Sequence, residues 1–177
     1  ALRESGADIL HISPSHHFPT GIVTPAARRY ALLRWAQEQP QRYIIEDDYD
    51  SELRLGGKPI PTLQSIDISE KVIYMNTFTK TLASTVRISY MILPRPLLEQ
   101  FYQKLSFYSC TVSNFEQYTL DLFIKEGYFE KHINRLRNYY QNKKNGFLSA
   151  IWDSGLHKCV EISGEEAGVH FLMKLKT

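Results

Sequence analysis

Three short apolar runs, each breaking off into a polar cluster, constrain this chain more than any other feature in it. Asp8-Ile9-Leu10-His11-Ile12 gives way to Ser13-Pro14-Ser15 and then to the turn-rich loop His16-His17-Phe18-Pro19-Thr20-Gly21. Tyr43-Ile44-Ile45 runs straight into Glu46-Asp47-Asp48-Tyr49-Asp50, and Val72-Ile73-Tyr74-Met75 into Asn76-Thr77-Phe78-Thr79-Lys80-Thr81. Runs of this length, bounded by turn formers, read as buried strands. Between the first two lies a helical pattern. Thr24 is read as its N-cap, Pro25 as its first residue, and Tyr30, Leu33 and Ala36, with Leu32 and Trp35, as its apolar face, until Gln39-Pro40 ends it. Strand and helix alternating in this way predict βαβ units and a mainly parallel sheet.

Leu55-Gly56-Gly57-Lys58-Pro59-Ile60-Pro61 reads as an extended surface loop, and Thr62 to Ile68 as a short irregular piece. Ile88 to Leu93 is a fourth strand, ended by Pro94. From Pro96 the texture becomes helical. Leu98, Phe101, Leu105 and Tyr108 share one helix face, and Phe115, Tyr118, Leu122 and Phe123 another, with Gly127 as the C-terminal cap. Phe129, Ile133, Leu136 and Tyr140 mark a third, long helix. Its Lys131, Arg135, Arg137, Lys143 and Lys144 are read as a solvated face. Cys159–Ile162 and Val169–Lys176 are read as two strands around a turn at 164–168. The expected class is α/β: a partial three-layer αβα major domain over 1–95, connecting helices over 96–150, and the start of a small α+β domain over 151–177. Both termini look cut, as in a piece of a larger protein.

The totals exclude more than they specify. A chain of 177 residues, 43% hydrophobic and 23% charged, has the composition of a globular domain. A net charge of +2 is too small to argue for a nucleic-acid or anionic-membrane partner. Neither a signal peptide nor an apolar run of membrane-spanning length is found, and Cys110 and Cys159 form no disulfide or metal pattern. The expected location is the cytoplasm.

Ligands of open α/β sheets sit at the carboxyl ends of the strands, where all three polar clusters fall. Lys80 stands there among three threonines, with Arg87 seven residues on. A lysine can attack a carbonyl to form a Schiff base, while hydroxyls and an arginine suit a phosphate. The His16-His17 pair has no carboxylate or cysteine nearby in sequence at ligand spacing, so loop packing or pocket lining is preferred to metal binding. The acidic cluster lacks the glycine of a calcium loop; helix capping or a solvated loop are its plain alternatives. Together the residue types suit pyridoxal 5'-phosphate: a lysine for its aldehyde, a carboxylate for the pyridine nitrogen, a phenol for the ring oxygen, and hydroxyls with an arginine for the phosphate.

In the blocks Pro14-Ser15-His16-His17-Phe18-Pro19-Thr20-Gly21, Glu46-Asp47-Asp48-Tyr49-Asp50-Ser51-Glu52 and Thr77-Phe78-Thr79-Lys80 with Arg87, the chain resembles the fold-type I aminotransferase-like proteins. Within these it is similar to the bacterial GntR/MocR/GabR-type regulators. The resemblance implies that Lys80 holds pyridoxal 5'-phosphate as an aldimine. It also implies that Asp47 pairs with the pyridine nitrogen and Tyr49 with the phenolate oxygen, and that Thr77, Thr79 and Arg87 surround the phosphate. Phe18 departs from the pattern, since many aminotransferases have Asn there, and Ser89 stands where Gly is frequent. An aromatic stacking residue and part of the phosphate site are expected upstream of Ala1, and a substrate-carboxylate arginine downstream of Thr177. The implied function is effector sensing, in which an amino compound reacts at the cofactor. The implied assembly is a homodimer, with DNA bound only through a domain outside this chain. A free-standing aminotransferase acting on an amino acid and a 2-oxo acid is the alternative.

Overall fold

The computed structural model describes residues 2–56, 60–164 and 169–176. Four strands form the main sheet in the order β1 (Ile9–Ile12), β2 (Tyr43–Asp47), β3 (Val72–Thr77) and β4 (Ser89–Ile92). The first three are parallel, with Leu10 opposite Ile44 and Ile44 opposite Val72, and β4 returns antiparallel along β3. All three polar clusters therefore leave the sheet at one edge.

Helix α1 (Ala26–Gln37) covers the sheet, crossing over from β1 to β2. Leu32, Leu33, Trp35 and Ala36 from it form one buried cluster with Ile44, Val72 and Leu63 of the single-turn helix α2 (Leu63–Ile66). Thr24 does not cap α1 as expected. Pro25 holds the N-cap position, while the Thr24 amide donates to Pro14 O at 2.8 Å and its carbonyl accepts from Arg29 Nε at 3.0 Å. The residue is spent fixing the loop after β1 to the helix that follows.

Arg29 organises this corner. Its buried guanidinium also donates to Pro61 O and Pro14 O, both at 2.9 Å, so one side chain ties together three stretches of chain. Glu46 lies 3.7 Å from it and accepts the amides of Leu63 and Gln64 at 2.8 and 2.9 Å, capping α2. The capping alternative for the acidic cluster is thus realised by Glu46, on the core side of β2.

Beyond β4 come α3 (Arg95–Leu105), α4 (Asn114–Lys125) and α5 (Tyr128–Asp153). Ser113 and Glu116 form a reciprocal capping box on α4, and Gly127, at φ 71°, turns the chain between α4 and α5. None of the residues of α3 or α4 is buried, and Phe115 and Tyr118 are 80% and 71% exposed. Of the apolar faces expected there, Phe123 of α4 meets Tyr128 and His132 of α5, while Phe115, Tyr118 and Leu122 stand exposed. Tyr108 lies past the end of α3. Arg137 is not merely solvated: its Nε donates to Glu52 O at 2.7 Å, pinning α5 to the segment after β2. A separate antiparallel hairpin, β5 (Val160–Ser163) and β6 (Leu172–Leu175), follows α5. The turn read between them falls at 165–168, outside the described residues, except for Gly164.

Candidate functional site

Side chains alternate along β2 and the segment that continues it, and this splits the acidic cluster in two. Glu46 and Asp48 point into buried surroundings; Asp48 accepts from Ser51 Oγ at 2.8 Å and Tyr74 OH at 2.9 Å. Asp47 and Tyr49 turn instead to a cleft of about 350 Å³ at the carboxyl edge of the sheet. Thr77, Thr79, Lys80 and Arg87 line the same cleft. All six residues singled out, which come from the second and third sequence blocks, are therefore brought together, while no residue of the block over 14–21 lines this cleft.

Within the cleft the donors are laid out in order along β3. Asp47 pairs with Met75 in register, and Thr77 lies two residues further on, a displacement of about 7 Å. At the far end Thr77 Oγ1 and Thr79 Oγ1 are 3.0 Å apart, and Arg87 Nη1 reaches Thr79 Oγ1 at 3.5 Å. Two hydroxyls and a guanidinium at one end, a carboxylate at the other and a primary amine on the wall suit a flat ring carrying a phosphate arm. The donor set fits pyridoxal phosphate.

Two contacts could not be read from the sequence. His11 Nε2 lies 3.5 Å from Asp47 Oδ2, because neighbouring parallel strands place His11 opposite Ile45, two residues before Asp47. Only the strand register brings them together. The second concerns Tyr49, whose hydroxyl donates to His16 O at 2.9 Å. Burial, with Asp50 and then Asp47 nearby, pushes its pKa well above the usual tyrosine value, so it stays a donor. Its one proton is directed at the loop after β1.

His16 is the loop-packing member of the histidine pair. It is 2% exposed, its Nδ1 lies 2.7 Å from Asp50 Oδ2, and its ring meets that of His170 at a tilt of 32°, with centroids 4.0 Å apart. His17 sits in the loop itself, with Nδ1 2.9 Å from Thr20 Oγ1. A donor atom from each of His16, Asp50 and His170 lies within 4.8 Å of the other two. His170 was missed by sequence reasoning because it lies 154 residues beyond His16, on the hairpin.

Comparison with known proteins fits this site. No protein-family model matches the chain. Over 97% of its length it is 45% identical to the uncharacterized HTH-type transcriptional regulator YdeL of Bacillus subtilis, of which it spans 37%. It is 34% identical to the probable rhizopine catabolism regulatory protein MocR of Rhizobium meliloti, over 94% of the chain and 33% of that protein. The chain belongs with the aminotransferase-like part of the MocR/GabR-type regulators. It spans about a third of the length of these relatives. Among solved structures, Pyrococcus horikoshii kynurenine aminotransferase superposes with a TM-score of 0.79 at 29% identity, over 94% of this chain and 41% of that one. The α-aminoadipate aminotransferase LysN of Thermus thermophilus, complexed with N-(5'-phosphopyridoxyl)-L-leucine, matches with a TM-score of 0.79 at 27% identity, over 96% and 43%. The fold is that of the fold-type I aminotransferases, the three-layer αβα class expected from the strand–helix alternation.

Proposed function

We propose that this chain is the pyridoxal-phosphate-binding, effector-sensing part of a MocR-type transcription regulator, responding to a small amino compound. One observation carries the reading: six residues from the ends of β2 and β3 and the loop after β3 line one cleft, in an order that matches the cofactor. When bound, the cofactor supplies an aldehyde that condenses reversibly with primary amines and a pyridinium ring that withdraws electrons.

The chain's own residues then divide the work. Arg87 and the hydroxyls of Thr77 and Thr79 hold the phosphate dianion, the guanidinium by charge-assisted hydrogen bonds. Asp47 keeps a proton on the ring nitrogen, with His11 beside the carboxylate. Lys80 would provide the amine that anchors the cofactor, and its place could be taken by the effector's amine. Tyr49 offers its proton to the ring oxygen. We place the cofactor-binding portion at 1–95, connecting helices at 96–150 and the small domain from 151. The working protein is a cytoplasmic homodimer, and DNA is bound by a domain outside this chain. Among the described residues, no helix is long and apolar enough to cross a membrane.

Borohydride reduction of the full-length protein with pyridoxal phosphate, followed by peptide mass analysis, tests the assignment. The cofactor mass is expected on the Lys80 peptide and on no other in the untreated sequence. A label on another lysine, with Lys80 unmodified, refutes it. A free-standing aminotransferase is the second reading, favoured by 31% identity over 81% of the chain to aromatic-amino-acid aminotransferase 1 of Thermococcus litoralis.

A further inference from the structure

Adjacent residues Tyr49 and Asp50 grip His16 at two points. The Tyr49 hydroxyl takes the His16 carbonyl at 2.9 Å, and Asp50 Oδ2 takes the His16 ring nitrogen Nδ1 at 2.7 Å. The other face of the same imidazole is pressed by His170, from the hairpin, with ring centroids 4.0 Å apart. Phe18, two residues along the loop, meets His170 edge-on at 5.4 Å. Main chain joins main chain at the same seam. A Cβ on Gly21 would stand 2.7 Å from the Gly164 Cα, and one on Gly164 2.9 Å from the Gly21 Cα, with both glycines at positive φ. Two imidazole nitrogens, His16 Nε2 and His170 Nε2, are buried there with no hydrogen-bond partner among the described residues. Buried polar atoms left in that condition call for an explanation other than stability.

We infer that His16 is a positioning residue for the cofactor cleft, acting through Tyr49, and that the seating of the β5–β6 hairpin by His170 sets how tightly Tyr49 is held. The Tyr49 hydroxyl has one proton, and the His16 carbonyl competes for it with the cofactor's ring oxygen. When the hairpin is seated, His16 is clamped between His170 and Asp50 and its carbonyl is fixed in front of Tyr49. When the hairpin lifts, the loop relaxes and the proton is freed for the ring oxygen. Movement of the small domain is thereby linked to the electronic state of the cleft, in either direction. The inference rests on the pyridoxal phosphate reading above.

The test uses full-length protein loaded with pyridoxal phosphate. Its readouts are the pH midpoint of the bound cofactor's visible absorption and the cofactor Kd. A donor to the ring oxygen favours its anionic form, so freeing Tyr49 lowers the midpoint. His170→Ala is expected to lower it by about half to one pH unit, the size that one hydrogen bond imposes. Tyr49→Phe should raise it, and His170→Ala added to Tyr49→Phe should then move it no further. Gly164→Ala, which alters the seam without touching an ionisable group, should shift it in the same direction as His170→Ala. If His170→Ala produces the same shift with Tyr49 intact as it does on top of Tyr49→Phe, or no shift in either case, the inference is overturned. If the unaltered protein shows no cofactor band at all, the functional reading fails and the inference goes with it.

Discussion

At the scale of single residues, the six cleft side chains carry distinguishable duties. Lys80→Ala should abolish the visible band of the bound cofactor, because no other amine lines the cleft among the described residues. Arg87→Ala should leave the band but weaken cofactor affinity by about 10- to 100-fold, the range expected for one charge-assisted hydrogen bond. A fluorescence titration with pyridoxal phosphate separates the two. His170 carries a pH dependence of its own. Burial, then the neighbouring His16 and Lys80, hold its pKa below the usual 6.5, while Asp50 opposes this. The unfolded chain therefore binds a proton below pH 6.5 that the folded chain resists. Stability from this group is fully present above that pH and is lost as pH falls from 6.5 through the folded value. Urea midpoints measured on the cofactor-free protein at pH 7.5 and 5.5 should fall more for the unaltered protein than for His170→Gln. Equal losses in the two would show that His170 contributes nothing to the slope.

At the scale of elements, legibility in the sequence depended on the range of the interactions. Strands β1 to β3 are short apolar runs whose pattern is local, and the parallel sheet follows because a helical stretch separates the first two. Ile44 illustrates the security of that core. It is 0% exposed between α1 and the neighbouring strands, so Ile44→Ala should cost about 2–5 kcal/mol in chemical denaturation. The cleft was equally legible, since strand ends in a parallel sheet share an edge. The features that escaped depended on register and on distant chain. His11 meets Asp47 only through the pairing of β1 with β2, and His170 meets His16 across 154 residues. Arg29, the cation that ties the loop after β1 to α1 and the approach to α2, looks in sequence like any polar position on a helix. Thr24 misled because a threonine before a proline satisfies the capping pattern whether or not its hydroxyl is used.

At the scale of the whole molecule, large apolar side chains stand exposed on α4, at Phe115 and Tyr118, and in the segment after α3, at Phe107 and Tyr108. A surface of that kind calls for a second subunit or for chain outside these residues. Sedimentation of the full-length protein should give a dimer. Regulator and enzyme are then separated by the fate of the bound effector. On the proposed reading, Asp47, Tyr49 and Lys80 would be enough for one amine to replace another at a bound cofactor, because each would act on the ring or on the amine in the cleft. Repeated turnover asks for two further things: a lysine free to shuttle protons and a cation that places the substrate carboxylate. A sensor needs only that its two states differ in affinity for the effector. On the sensor reading proposed above, the full-length protein is expected to change its cofactor spectrum when its amino effector is added, and to produce oxo acid far more slowly than it exchanges amines. Stopped-flow absorbance on one side and coupled detection of oxo acid on the other measure both rates on the same sample. Fast, repeated conversion of an ordinary amino acid, by a gene product without a DNA-binding domain, would establish the aminotransferase reading in place of the sensor.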